Sequence, residues 1–221
     1  MAAMQVVIPI RRIELTGDLD VPGRPLGLVL FAHGSGSSRY SPRNQYVARV
    51  LREAGIGTLL FDLLTPAEEE AEALSRHLRF DIALLAERLE GATRWAIDQA
   101  TRSDVNVGYF GSSTGAAAAL IAASRFGDVV GAVVSRGGRP DLAGDALARV
   151  RGATLLIVGG EDKPVIGLNE EAYERLHCEK ALRIIPGATH LFEEPGALEI
   201  VAKMAAEWFA NHLQPMAERS R

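Results

Sequence analysis

The stretch Gly111-Ser112-Ser113-Thr114-Gly115 lies between an apolar run that ends at Phe110 and an alanine-rich run that begins at Ala116. This order predicts a buried strand, a sharp turn and a helix, with a serine at the apex of the turn. A serine on so tight a turn adopts a strained backbone, and side chains two positions before and after it would collide with the adjoining strand and helix. Glycine at both flanking positions removes those collisions, so the spacing predicts that the Ser113 hydroxyl is raised clear of the sheet.

Length and composition indicate an α/β domain of ordinary size. The 221 residues are 48% hydrophobic and 24% charged, with a formal net charge of −4. Such values are typical of a soluble globular chain with a large core, so we expect one domain over residues 1–221. The basic residues are scattered among acids, which argues against a nucleic-acid partner.

The cysteine content and the length of the apolar runs indicate where in the cell the protein is located. Cys178 is the only cysteine, so no internal disulfide can form, and we interpret it as a packing residue. No run approaches the ~20 apolar residues that span a bilayer, and residues 1–12 lack the apolar segment of a signal peptide. We therefore expect a cytoplasmic location without membrane contact.

The chain alternates short apolar runs with helical patterns. Residues 6–10 and 12–21 alternate in polarity and predict an antiparallel edge of the sheet. Continuous apolar runs predict strands buried on both faces of a parallel sheet, at 28–32, 57–61, 105–110, 129–134, 154–158 and 182–185. Helical patterns lie at 45–54, 68–100 (one long helix or two), 114–125, 169–177 and 198–213. The alternation predicts a doubly wound, mostly parallel sheet in three layers, α/β/α, without a large lid domain.

Three polar residues follow predicted strands in the chain order that a serine hydrolase of this architecture uses. Ser113 comes first, Asp162 follows the run 154–158, and His190 follows the run 182–185. Because parallel strands bring their carboxyl ends to one edge of a sheet, we expect the three side chains to lie together. A serine hydroxyl needs a neutral imidazole to take its proton, and a carboxylate orients that imidazole. The three residues therefore predict acyl transfer.

The sequence offers alternatives for the carboxylate. Glu161 adjoins Asp162, and Asp141 follows the preceding strand, so either could supply the carboxylate instead. A second backbone donor for an oxyanion, beside the Thr114 amide, is expected from the glycine-rich loop that follows the run 28–32 and begins at His33.

Four segments carry a resemblance to a known family: FAHGSGS at 31–37, YFGSSTGAAAAL at 109–120, LLIVGGED at 155–162 and PGATHLF at 186–192. Together they resemble the α/β-hydrolase superfamily, in particular its dienelactone-hydrolase-like branch, over nearly the whole chain. The resemblance implies Ser113 as nucleophile, Asp162 as acid, His190 as base, and the Ser35 and Thr114 amides as the oxyanion hole. Dienelactone hydrolases proper carry cysteine where this chain has Ser113, so acyl transfer is implied but a lactone substrate is not.

Candidate substrate contacts are His33, Gly34 and Arg136. By the resemblance His33 shapes the oxyanion loop, with its ring bonded to nearby backbone. Arg136 and Arg139 both follow a central strand, so either can meet an anionic substrate group.

Surface-loop arginines more often end in a salt bridge, and the acids within reach by sequence are Asp141, Asp145 and the run 68–72. That acidic run itself reads as the solvated first turn of a helix behind Pro66. The segment from Leu63 to Phe80 is the expected cover of the pocket.

These residues predict a serine hydrolase that cleaves carboxylic esters or similar acyl bonds of small molecules through an acyl-enzyme on Ser113. We expect no cofactor and no metal, and either a monomer or a homodimer. One alternative is a noncatalytic binding protein with the same fold. Another is a nucleotide-binding enzyme, suggested by Gly34-Ser35-Gly36 with Asp62 after the next strand, although Arg39 stands where a third glycine is needed.

Overall fold

The framework of the molecule is one eight-stranded sheet, seen in a computed structural model that describes residues 3–75, 77–99 and 106–213. Its strands are β1 (Met4–Ile10), β2 (Ile13–Asp20), β3 (Leu28–Ala32), β4 (Gly57–Phe61), β5 (Val107–Ser112), β6 (Val130–Arg136), β7 (Ala153–Gly159) and β8 (Lys180–Ile185). Their order across the sheet is β1-β2-β4-β3-β5-β6-β7-β8. β1 and β2 pair antiparallel with each other, β2 pairs antiparallel with β4, and the remaining pairs are parallel.

Burial follows from this arrangement. Every residue of β3, β4, β5, β6 and β7 is buried, whereas β1 alternates between buried and exposed positions. Strands covered on both faces read as continuous apolar runs, and a half-exposed edge reads as alternation. The predicted antiparallel edge and buried parallel centre are confirmed. The prediction is wrong for the run 182–185, because β8 forms the other edge of the sheet and exposes Arg183 and Ile184.

Helices cover the two faces of the sheet. They are α1 (Pro42–Glu53), α2 (Pro66–Ser75), α3 (Ile82–Gln99), α4 (Thr114–Phe126), α5 (Lys163–Arg175) and α6 (Ala197–His212). α3 and α4 contribute to one apolar core, against which Cys178 also packs, and α1 and α6 enclose a second core on the other face. The three layers form as predicted. In the described ranges no helix is both long and apolar enough to cross a membrane.

Several element bounds differ from the sequence prediction. The pattern over 68–100 divides into α2, a short 3-10 turn at Leu78–Phe80, and α3. α5 begins six residues before the predicted 169, because Asp162 serves as its N-cap and a proline occupies its first turn. The structure also contains a 3-10 run at Pro140–Arg149, kinked at Gly144. The predicted strand start at Val105 and helix end at Ala100 lie outside the described residues.

The helix after the serine turn approaches the sheet very closely. A Cβ built on Gly115 would lie 2.1 Å from the carbonyl oxygen of Ala32 and 2.6 Å from that of His33. Alanines at positions 116–119 continue the buried face. Only glycine at 115 allows α4 to begin this close to the end of β3.

Substituting Gly115→Ala should therefore destabilise the fold, because both obstructing atoms belong to the backbone. We expect the free energy of unfolding in urea to fall by about 2–4 kcal/mol. Gly167→Ala is the matched control, since Gly167 lies exposed within α5 and an added Cβ there meets no atom within 4 Å. It should raise stability by about 0.5–1 kcal/mol. Equal effects of the two changes would contradict the close-approach interpretation.

Candidate active site

Ser113 occupies the sharp turn between β5 and α4. Its backbone has φ 51° and ψ −123°, a conformation that L-residues rarely adopt and that costs about 1–3 kcal/mol. Three backbone bonds hold it: the Ser113 amide donates to the Arg136 carbonyl at 3.4 Å, and the Arg139 and Ala116 amides donate to the Ser113 carbonyl at 3.0 and 3.2 Å. The strained serine turn predicted from the glycine spacing is present.

Gly34 lies against the serine turn. A Cβ at this position would lie 2.8 Å from the Ser113 Cβ and 3.0 Å from the Ser112 carbonyl oxygen. The loop that follows β3 thus packs directly on the serine turn, and Gly34 lines the same cavity as Ser113.

His190 and Asp162 form a hydrogen-bonded pair. Asp162 follows β7 at the start of α5 and His190 follows β8, and the distance from His190 Nδ1 to Asp162 Oδ2 is 2.6 Å. An ionised carboxylate only accepts, so Nδ1 is the donor and Nε2 of the neutral ring keeps a free lone pair. Of the acids that the sequence left open, Asp141 bonds to Arg139 instead, and Glu161 is exposed.

Ser113 and His190 line one cavity of about 980 Å³. Among the described residues no hydrogen bond joins the Ser113 hydroxyl to the imidazole. The expected line of three residues is therefore half formed: the acid–imidazole bond is made, and the imidazole–hydroxyl bond is not. Hydrogen bonds of this second kind commonly tighten only when substrate binds.

The two backbone amides expected to face an oxyanion differ in their surroundings. Thr114 is the first residue of α4, where an amide has no helical carbonyl to bond. The Ser35 amide donates to the Thr114 hydroxyl at 3.2 Å. The Ser35 amide is thus occupied by a neutral side-chain oxygen in this structure, and its part in an oxyanion hole stays a prediction.

His33 ties the loop after β3 to the loop after β4. Its Nδ1 donates to the Gly34 carbonyl at 3.1 Å, and its Nε2 accepts from the Leu63 amide at 3.1 Å. Burial lowers the pKa of His33 below its ordinary value, which keeps the ring neutral and able to accept. The expected ring-to-backbone bonding is observed and occupies both ring nitrogens, which leaves neither of them available to a substrate in this structure.

Arg39 is a site residue that the sequence did not single out. Its side chain is 9% exposed, its amide donates to Asp62 Oδ1 at 2.8 Å, and its guanidinium pairs with Asp62 and, at 3.4 Å, with Asp18. This pairing occupies the carboxylate on which the nucleotide-binding alternative depended. The local sequence holds no signal for the pairing, because Arg39 and Asp62 follow different strands and meet only in the folded sheet.

Arg136 and Arg139 have different surroundings. Arg139 bonds Asp141 through two nitrogens, at 2.9 and 2.8 Å, as the salt-bridge expectation states. Arg136 is 7% exposed and lines the cavity, and its Nε and Nη1 are buried without a hydrogen-bond partner. The salt-bridge expectation is therefore wrong for Arg136.

The segment from Leu63 to Phe80 forms part of the cavity wall through Leu64, Pro66, Glu69 and Arg79. Glu72 within it is fully buried and bonds the Arg79 guanidinium at 2.9 Å, so the acidic run is not wholly solvated as predicted. No group of three or more His, Cys, Asp or Glu side chains in the described parts of the chain is placed to hold a metal ion.

The fold and this site define the class of α/β hydrolases. The family model described as dienelactone hydrolase family matches residues 52–219, and the chain belongs to that family. Similar structures include dienelactone hydrolase from Anabaena variabilis ATCC 29413, 57% identical with a TM-score of 0.94, over 96% of this chain and 98% of that chain. Est1E from Butyrivibrio proteoclasticus, 17% identical with a TM-score of 0.76 over 96% and 98%, shares the fold. Family and neighbours support a hydrolase.

Curated relatives carry a different name. Two proteins of Mycobacterium tuberculosis, from strains CDC 1551 and H37Rv, are named as candidate phosphoribosyl transferases and are 57% identical over 201 residues. The matched region is 91% of this chain but 44% of those relatives, so the chain spans less than half of their length.

The buried neutral His33 predicts a pH effect on stability. Unfolding returns its pKa to the ordinary 6.5, so below that pH the unfolded chain takes up a proton that the folded ring does not. Stability falls as the pH drops below about 6.5, by at most about 1.4 kcal/mol per pH unit for one proton. Urea unfolding of the wild type between about pH 7.5 and about pH 5.5 should show this slope, and His33→Gln should flatten it. Exposed His77→Gln is the control; a flattening there as well would contradict the assignment.

Proposed function

We propose that this chain is a serine hydrolase that cleaves carboxylic esters, or similar acyl bonds of small molecules, through an acyl-enzyme on Ser113. The observation that carries the proposal is the 2.6 Å bond between His190 and Asp162 beside a cavity that also contains the strained Ser113 turn. The family supports a hydrolase, and the identity of the nucleophile supports an ester-type acyl group.

In the first step, His190 Nε2 takes the proton of the Ser113 hydroxyl as the oxygen attacks the substrate carbonyl carbon. Asp162 keeps Nδ1 protonated and stabilises the imidazolium that forms. His190 then gives the proton to the leaving alkoxide, which departs as an alcohol. In the second step, His190 takes a proton from water as the water oxygen attacks the acyl carbon. The bond between the acyl carbon and the Ser113 oxygen then breaks, and His190 returns the proton to that oxygen, which releases the carboxylic acid and free Ser113.

The oxyanion is held at the N-terminus of α4. The Thr114 amide donates to it there, and each donor of this kind contributes about 3–4 kcal/mol in related sites. The Ser35 amide is the second donor, and the oxyanion must first displace the Thr114 hydroxyl from it. Charge-assisted hydrogen bonds are roughly twice as strong as neutral ones, so the Ser35 amide bonds the oxyanion in place of the Thr114 hydroxyl as negative charge develops.

Phosphoribosyl transfer is not proposed as a second function. That name belongs to proteins of which this chain spans 44%, and no geometry in the described ranges favours it over acyl transfer. The noncatalytic alternative draws its support from the unformed bond between Ser113 and His190. Activity measurements separate it from the hydrolase.

Short p-nitrophenyl esters should be hydrolysed, and a fluorophosphonate should add once to Ser113, as read by intact mass and peptide mapping. Ser113→Ala should abolish labelling and lower kcat by up to about a million-fold if the triad acts as a unit. Ser124→Ala, a serine on the far part of α4, is the labelling control. An unlabelled and inactive wild type would favour a noncatalytic protein.

Asp162→Asn should reveal whether this carboxylate orients the imidazole. An amide favours the wrong tautomer, so we expect kcat to fall by roughly 10⁴-fold with little change in KM. Glu161→Gln removes the adjacent exposed carboxylate and should keep kcat within a few-fold. The assignment fails if the two variants lose activity equally.

A further inference from the structure

Arg136 is a buried guanidinium that the proposed mechanism does not use. Four of the carboxylates that the sequence offered to it bond other arginines: Asp141 bonds Arg139, Asp145 bonds Arg175, Glu68 bonds Arg88 and Glu72 bonds Arg79. The other two, Glu69 and Glu70, are exposed, and Glu69 lines the cavity without an ion pair to Arg136. Within the described residues, Arg136 makes no side-chain hydrogen bond or ion pair, and its Nε and Nη1 are buried.

An unpaired buried charge is costly, because burial removes its hydration without replacing it. Burial, and secondarily the positive charge of Arg43, lower the pKa of Arg136 to about 10. That value lies well above neutral pH, so the group stays cationic in the fold. The free-energy cost of this buried charge falls at Arg136, beside Ser113.

The position of Arg136 places it in the reacting cavity. It ends β6, pairs in register with Ser112 on β5, and its carbonyl accepts from the Ser113 amide. Arg136 lines the cavity together with Ser113 and His190. β3, which carries the oxyanion loop, lies on the other side of β5, so Arg136 and that loop flank the nucleophile from opposite sides.

Arg43 adds a second positive charge to the same cavity. It lies in the first turn of α1 and bonds Glu193 at 2.8 Å, a carboxylate whose side chain is 62% exposed. Exposed pairs of this kind are worth about 0–1 kcal/mol, so an anion in the cavity competes for Arg43 at little cost. The other arginines of the cavity, Arg39 and Arg79, are held by buried or half-buried carboxylates.

We infer that Arg136, assisted by Arg43, binds an anionic oxygen group of the substrate, a carboxylate or a phosphate, and makes the enzyme selective for anionic esters. A guanidinium presents paired N–H donors that match two oxygens of such a group. A neutral substrate leaves the Arg136 charge unpaired and is disfavoured for that reason. This inference rests on the proposed hydrolase function for its kinetic part, but anion binding itself does not.

The first experiment measures binding without turnover. Glutarate and inorganic phosphate are titrated into Ser113→Ala protein by calorimetry, with neutral glutaramide as the uncharged control. We expect one of the two anions to bind, which identifies the source of charge, and Arg136→Met to weaken its Kd by on the order of tenfold or more. Arg139→Met, which removes an arginine already paired with Asp141, should leave the Kd unchanged.

The second experiment measures selectivity. If glutarate binds, hydrolysis of the anionic ester monomethyl glutarate is compared with that of the neutral dimethyl glutarate in a pH-stat. If phosphate binds, the anionic acetyl phosphate is compared with the neutral ethyl acetate. Arg136→Met should lower kcat/KM for the anionic ester by roughly 100-fold and leave that for the neutral ester unchanged or higher. Arg136→Lys keeps the charge but not the paired donors, so its kcat/KM for the anionic ester should lie between those of the wild type and Arg136→Met.

Stability separates a binding role from a structural one. Arg136→Met should keep or raise the midpoint of thermal unfolding, because it removes an unpaired buried charge. A lowered midpoint, with anion binding and selectivity unchanged, would overturn the inference. Anion binding that depends on Arg136, in a wild type that hydrolyses no ester, would support the anion site while rejecting the proposed hydrolase.

Discussion

The close approach of α4 to the end of β3 is the constraint on which the site depends. A Cβ at position 115 would lie only 2.1 Å from the Ala32 carbonyl oxygen. Because glycine has no Cβ, α4 can begin directly beside the end of β3. The approach brings the Thr114 side chain within 3.2 Å of the Ser35 amide and forces Ser113 into its positive-φ turn. The serine turn and the start of the loop after β3 are thus brought together by close packing of the backbone.

Charge is distributed around the cavity in an uneven way. Arg39 and Arg79 are matched to the carboxylates of Asp62 and Glu72, and these pairs fix the loop after β3 and the segment after β4 as walls. The same accounting leaves Arg136 without a carboxylate. The paired arginines stabilise the walls of the cavity, whereas Arg136 keeps an unpaired positive charge beside it.

The sequence predicted those features that depend on local pattern. The apolar runs 28–32 and 57–61 coincide with β3 and β4, because a strand buried on both faces has no polar position within it. The start of α5 was missed, since its first turn is polar and lacks apolar periodicity. Pairings across the fold, such as Arg39 with Asp62, could not be read locally because they join residues brought together only by the sheet order.

The departures from local rules collect at one edge of the sheet. Ser113 has a strained backbone, Arg136 is buried without a partner, and the Ser35 amide is held by an oxygen that a charged acceptor would displace. The strained turn and the unpaired guanidinium each cost free energy in the protein alone, and the anionic ester that we propose would use the first and relieve the second. Well-packed proteins concentrate such conflicts where they act on a ligand. Since the neighbouring arginines show that this chain pairs buried cations elsewhere, the lone Arg136 argues for selection by charge within the cavity rather than for a fault in packing.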